Sequence, residues 1–475
     1  MTEPASADLF GPQTARARDV AQLPGRPFPL AIIHAVARIK AAAAGVLTDL
    51  VPDRLPPEIA DAIATVAGEV VDGRWDDQFV LGVFQTGSGT STHMNVNEVL
   101  ATRATQLLGG IPVHPNDHVN LGQSSNDVMP TAMRLASIEA AVALGQALAR
   151  LERELGLQER NLKHVVKAGR THLQDAVPVT LGQEFGGYRQ QIADARARIE
   201  GTLPDLGSLP LGGTAVGNGV NAPVGYAART IEVLAARTGA DLRPAPDRFA
   251  VQGAHDAVVD LSGRVRAAAV SLQKIANDIR LMGSGPATGF GEIELATLQP
   301  GSSIMPGKVN PVAVEIVNQV VARVIGNDAT IAFAGAQGIL ELNTHVPVMA
   351  AAMLDSLELM TAATDLFAAR CVASLQPDIA RARSLAEQST ALVTALTPLL
   401  GYDGAAAALA TARSSGRPLV DVVVDDHGLD REQVESRLDL LAMAQGSVEP
   451  TTPDLPFEDP HVPADLVSPD DSGTI

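Results

Sequence analysis

The sequence predicts a mainly all-α chain in which long helices pack side by side as a bundle. Three observations support this. Apolar residues make up 46% of the 475 residues but aromatic residues only 3%, and cores of Ala, Val and Leu suit close helix packing better than stacked sheets. Apolar positions recur at spacings of three and four along several long stretches. Polar, glycine-rich segments separate those stretches.

The first stretch runs from Leu30 to Leu50, where Ile32, Val36, Ile39, Ala43, Val46 and Leu50 share one helical stripe. Leu144, Leu148, Leu151 and Leu155 form a second; Val265, Ala269, Leu272, Ala276, Ile279 and Met282 form a third. Val317, Val321 and Val324, then Met349, Met353 and Leu357, continue the pattern. Small Ala residues on several sides of these segments let neighbours approach closely, and helices apolar on more than one face belong inside a bundle or between subunits. An oligomer is therefore expected. The interruptions fall at 85–98, 114–130, 169–187, 211–223 and 284–311, and each carries hydroxyl, amide or His side chains. Such segments are where function concentrates. After Gly446 the chain holds six prolines among Asp and Glu with no Lys or Arg, which reads as a disordered acidic tail over 447–475.

A chain of this length exceeds the usual single core, so it folds as two or three domains or as one elongated unit completed by association. A formal net charge of -19 argues against nucleic acid and anionic membranes as partners. The single cysteine, Cys371, excludes an intrachain disulfide, and the first thirty residues lack a secretion signal. No uninterrupted apolar run reaches the roughly 18 residues that span a bilayer. A soluble, cytoplasmic protein is expected.

The most informative segment is Gly301-Ser302-Ser303-Ile304-Met305-Pro306-Gly307-Lys308-Val309-Asn310-Pro311. Its glycines and prolines forbid a regular helix or strand, while two hydroxyls, an ammonium and an amide crowd together. Pro311 opens an apolar-periodic stretch, so a helix N-terminus with free N–H groups stands beside the polar cluster, as an anion site requires. A second run, Gln85-Thr86-Gly87-Ser88-Gly89-Thr90-Ser91-Thr92-His93-Met94-Asn95, offers N–H and O–H donors to a carboxylate or phosphate, or is simply a turn into a capped helix. It lacks the Gly-Lys-Ser or Gly-Lys-Thr of a nucleotide loop. His114-Pro115-Asn116-Asp117-His118 leads into Gln123-Ser124-Ser125-Asn126-Asp127; without zinc-type spacing, no metal is assigned there. In Gly169-Arg170-Thr171-His172-Leu173-Gln174-Asp175-Ala176 one imidazole sits in a polar turn, suited to proton transfer near neutrality. Glu315, seven residues past Lys308, is positioned in sequence to orient such a ring. Lys308 is one of only five lysines, and its compact charge is not replaced by the planar fork of Arg.

Taken jointly, these segments, with Met94-Asn95-Val96-Asn97-Glu98, Gly212-Gly213-Thr214-Ala215-Val216-Gly217 and Glu341-Leu342-Asn343, resemble the class II fumarases of the fumarase/aspartase superfamily in collinear order from about Leu9 to Ala444. The resemblance implies a three-domain fold, divided at 1–123, 124–390 and 391–446, and a homotetramer with a twenty-helix core whose active sites are each built from three subunits. It implies reversible anti elimination of water from L-malate through an aci-carboxylate intermediate, with no cofactor and no metal.

By the same resemblance Ser302 matches the base for the C3 proton, with His172 the alternative for that role, and His172, coupled to Glu315, protonates the departing hydroxyl directly or through water. The substrate is held by Ser88, Gly89, Thr90, Ser124, Ser125, Asn126, Thr171, Ser303, Lys308, Val309 and Asn310. His114, Pro115, Asn116 and Asp117 match a secondary dicarboxylate site. The chain departs from the family pattern at His93, where Asn is usual, at Phe10 for Trp and at Asn218 for Thr. Aspartate ammonia-lyases share the fold and the signature loop, but those resembling this chain carry Gln where His172 stands. A catalytically silent helical scaffold is the reading from another class.

Overall fold

The computed structural model describes residues 8–446; the expected acidic tail lies outside them. Seventeen α-helices account for most of these residues, as the periodicity predicts. Within the described residues the chain forms two compact units, one of residues 8–161 and 184–376, the other of 162–183 and 377–446.

The larger unit contains α1 (Pro12–Val20), α2 (Leu30–Leu50), α3 (Pro57–Val71), α4 (Thr90–Leu107), α5 (Ser125–Asn161), α6 (Leu181–Glu200), α7 (Leu203–Leu206), α8 (Tyr226–Thr238), α9 (Arg248–Gly253), α10 (Asp256–Met282), α11 (Val312–Gly335) and α12 (Val346–Phe367). α12 packs along both α11 and α5, α10 lies along α11, and α2 lies against α3, α5 and α8. Each stripe read from sequence is inside: Leu144, Leu148, Leu151 and Leu155 of α5 are fully buried, as are Val265, Leu272 and Ile279 of α10 and Met349, Met353 and Leu357 of α12. Removing such surfaces from water stabilises the bundle by about 25 cal/mol per Å². The remaining faces of α10 and α11 expose Val270, Ile316, Ile325 and Phe333.

The smaller unit begins with a feature the helical reading passed over, an antiparallel hairpin of β1 (Val166–Thr171) and β2 (Gln174–Thr180). Its register shifts between Ala168 and Arg170, and a side chain on Gly169 would begin 2.4 Å from the Val177 carbonyl oxygen, so only glycine fits this bulge. α13 (Ile379–Glu387), α14 (Thr397–Ser415), α15 (Leu419–His427), α16 (Arg431–Arg437) and α17 (Leu440–Ala444) complete this unit. Leu396, Ala408, Val422, Val423 and Val434 form one small core, and Val166, Ala168, Ala386 and Leu440 another.

Four segments, Leu30–Leu50, Ser125–Asn161, Val346–Val372 and Thr390–Ser415, are long and apolar enough by length and composition to cross a membrane. This corrects the reading from uninterrupted runs, which overlooked them because scattered polar residues break each run without much lowering its average hydropathy. In the first three, 61 to 67% of the most apolar stretch is buried inside the protein, so the apolar character serves the core. The fourth is broken at Gly401, whose φ of 69° and ψ of 170° are not helical.

Candidate active site

Three sequence-remote turns converge at the start of α5. The first ends at Gly89, which caps α4 with a φ of 77°; a side chain there would also begin 2.9 Å from Met129 Cε, so backbone and packing both demand glycine. The segment read as a loop over 85–98 is therefore a turn only to Gly89, after which Thr90 to Glu98 is helix and largely buried. Across the turn the half-buried hydroxyls of Ser88 and Thr90 hydrogen-bond at 2.7 Å.

The second turn is Ser124-Ser125-Asn126-Asp127. Asp127 Oδ1 accepts the Ser124 N–H at 3.0 Å, and Ser124 Oγ accepts the Asn126 N–H at 3.2 Å. The third turn is tied to it: Asp127 Oδ2 accepts from the N–H groups of Gly212 at 2.8 Å and Thr214 at 3.1 Å, while Asn126 Nδ2 donates to the Ala215 carbonyl at 2.9 Å. Burial pushes the Asp127 carboxyl up to about 6, opposed by those three N–H groups and by Lys40. Asp127 is thus the anchor that sets the 212–217 turn against the hydroxyls of Ser124 and Ser125.

Behind these turns lies a buried polar cluster. Lys40, in the apolar middle of α2, donates to Asn120 Oδ1 at 2.9 Å, and its burial drives its pKa well below that of an ordinary lysine. His93 is fully buried on α4 and its Nδ1 lies 2.8 Å from Ser125 Oγ. Sequence reasoning did not select Lys40 or Asp127 as site residues. The available signal was a lysine interrupting the α2 stripe.

The 301–311 loop is folded on itself. Asn310 Nδ2 donates to the Gly301 carbonyl at 2.6 Å, and a side chain on Gly301 would begin 2.0 Å from the Lys308 carbonyl oxygen. Ser302 Oγ accepts two backbone N–H groups, from Ile304 at 3.2 Å and Met305 at 3.0 Å. Ser303, Lys308 and Val309 are exposed, and Glu315 is exposed in the first turn of α11. That helix begins at Val312, directly after Pro311, as its proline signal predicts.

Thr171 and His172 are exposed at the tip of the hairpin in the smaller unit. His172 and Leu173 form its two-residue turn with φ of 56° and 59°, the left-handed pair that a type I′ turn needs and that non-glycine residues adopt at a cost in strain. The lack of an Asn-Gly signature here is why the hairpin was not read from sequence.

At 114–118, His114 Nδ1 accepts the Asp117 N–H at 3.1 Å, and His118 Nδ1 accepts the His114 N–H at 3.0 Å. Asp117 Oδ2 also lies 3.1 Å from His114 Nδ1, an ion pair only when that nitrogen is protonated and the N–H bond is given up. His114, Asn116 and Asp117 are exposed and Pro115 is half-buried. Among the described residues, no group of three or more His, Cys, Asp or Glu is placed to hold a metal ion.

The chain that carries these turns is matched over residues 3–326 by a profile of the family described as lyase. A second profile, described as fumarase C C-terminus, matches 392–445. The fumarate hydratase class II of Mycobacterium tuberculosis is 51% identical over 449 residues, covering 93% of this chain and 94% of that relative. The Corynebacterium glutamicum protein of the same name is 49% identical, with coverage of 93% and 94%. The crystal structure of recombinant class II fumarase from Schistosoma mansoni superposes with a TM-score of 0.89 at 38% identity, covering 93% of this chain and 96% of that one. The chain belongs to the class II fumarase family.

Proposed function

We propose that this chain catalyses the reversible hydration of fumarate to L-malate. The observation that most supports a lyase chemistry is Ser302 Oγ accepting two backbone N–H groups within hydrogen-bonding distance, beside the N-terminus of α11 and in the loop that carries Lys308. A serine hydroxyl serves as a base only as its alkoxide, and that state requires fixed donors and nearby positive charge of this kind.

In the malate-to-fumarate direction Ser302 Oγ takes the C3 proton and becomes a hydroxyl. The C–H electron pair moves into the adjacent carboxylate, which becomes an aci-carboxylate with extra negative charge. Stabilising that charge is the dominant energetic demand, and Lys308, Asn310, Asn126 and the hydroxyls of Ser88, Thr90, Ser124, Ser125, Thr171 and Ser303 are the donors we assign to it, with the backbone of Gly89 and Val309 completing the cradle. The pair then returns to form the C2–C3 double bond as the C2–O bond breaks. His172, which we assign to be oriented by Glu315, gives a proton to the departing hydroxyl, which leaves as water. No cofactor or metal enters these steps.

We further assign the chain to a cytoplasmic homotetramer in which each site draws on three subunits, and retain the division at 1–123, 124–390 and 391–446 for that assembly. Exposed apolar residues on α10 and α11 support association as the step that completes the site. His172 favours hydration over ammonia elimination, because hydroxide is the poorer leaving group and needs an acid. Absorbance in the fumarate band, followed with malate and then with aspartate, tests the reading. Fumarate is expected from malate alone; release from aspartate alone would reverse the assignment.

A further inference from the structure

We infer that His93 is a positioning residue for substrate binding: a neutral imidazole protonated on Nδ1, which donates to Ser125 Oγ and so leaves the Ser125 hydroxyl proton free to point at a substrate carboxylate. The inference rests on the hydratase reading for its substrate, and on geometry for the state of the ring.

His93 is fully buried on α4, and its only hydrogen bond among the described residues joins Nδ1 to Ser125 Oγ at 2.8 Å. Among those residues Nε2 is buried without a partner. Two neutral tautomers fit that contact. If Nε2 carried the proton, Ser125 would donate its own hydrogen to Nδ1, and an N–H group would be buried unsatisfied. With the proton on Nδ1, the unsatisfied atom is a lone pair, the less costly and more frequent of the two defects in protein interiors.

The surroundings of the ring favour the second arrangement. From α2, the buried Lys40 ammonium acts on the imidazole and, after burial itself, is the cause that disfavours its protonated form; a positive charge also prefers a bare nitrogen to an N–H. From α5, Asp127 does not compete for the proton, because its oxygens already accept from Ser124, Gly212 and Thr214. From α8, Tyr226 is buried near Asp127, and its hydroxyl is held in the neutral form. A serine hydroxyl has one proton to donate. Which way His93 is protonated therefore decides whether Ser125 offers the substrate a donor or only lone pairs.

The experiment combines one spectroscopic and one kinetic measurement on the full-length protein. With ¹⁵N-labelled histidine, the His93 signals, identified by their loss in His93→Asn, are expected to show a protonated Nδ1 and a bare Nε2 at neutral pH. A protonated Nε2, or an imidazolium, would overturn the inference whether or not the protein hydrates fumarate. In steady-state kinetics with fumarate, His93→Leu, which has no donor, is expected to raise KM about tenfold with a much smaller change in kcat. His93→Asn, whose side-chain amide can take the place of Nδ1–H, is expected to recover most of that loss. Equal KM values for the Leu and Asn variants, with both melting at the temperature of the parent, would exclude the positioning role. A parent inactive on fumarate but carrying the Nδ1–H tautomer would sink the hydratase reading and leave the assignment of the ring intact.

Discussion

The carbonyl oxygen of Thr344 occupies the place where a side chain on Gly87 would begin: the ideal Cβ position lies 2.0 Å from it. The contact is backbone on backbone, reinforced by the Val346 N–H donating to the Gly87 carbonyl at 3.1 Å. It fixes the turn that presents Ser88 and Thr90 at the start of α4.

Gly87→Ala should therefore force the two backbones apart, costing about 1 to 3 kcal/mol by overpacking. Loss of fumarate affinity should accompany the lower melting temperature, because the shift is passed to Ser88 and Thr90. Thermal melts and KM values measure both; a variant with parental values in each would show that the turn yields without consequence.

Ser302→Ala should abolish turnover while a non-reacting dicarboxylate still binds, since the hydroxyl is assigned to proton removal and the other donors remain. The decisive measurement is exchange of the malate C3 proton with solvent deuterium. Exchange at the parental rate in Ser302→Ala would remove Ser302 from the role of base and shift attention to His172.

His255 gives a pH prediction. It is buried at the start of α10 with both ring nitrogens unpartnered among the described residues, and burial, aided by the nearby Arg134 guanidinium, lowers its pKa to about 3. A base with a depressed folded pKa is protonated first in the unfolded chain, so the folded state loses stability as the pH falls from about 6.5 towards 3. The loss from this group approaches roughly 4 kcal/mol. In His255→Phe the urea midpoint, at fixed protein concentration, should fall less steeply across that window than in the parent. Identical slopes would mean that the ring finds a partner when charged.

Substitutions at the exposed 114–117 turn should have little effect. His114→Ala removes one acceptor of a backbone N–H at the surface, with an expected cost below about 1 kcal/mol and most activity retained. A kcat/KM reduced by tenfold or more would give that turn a direct part in catalysis.

Much of the proposed site was legible because the chemistry we assign to it calls for residue types that a core would not select. Ser302, Lys308 and Asn310 between glycines and prolines stand out in any apolar helical chain, and so do the hydroxyls of Ser88, Thr90, Ser124 and Ser125. Lys40 and Asp127 were passed over as site residues because their importance lies in what surrounds them. Lys40 is notable only once its helix is known to be buried, and Asp127 only once two N–H groups 85 and 87 residues away are seen to converge on it. His93 was identified as a departure from the family pattern, but its bond to Ser125 depends on the crossing of α4 and α5.

The sequence alone determined the helical class, the stripes that face inward and the identities of the chemically unusual turns, because periodicity and backbone restriction are local properties written residue by residue. Tertiary structure decided which turns become neighbours, which charges lose their water, and the strained hairpin that carries His172. Those outcomes depend on the three-dimensional packing of distant segments, where burial and hydrogen-bond partners are set by residues that no local pattern connects.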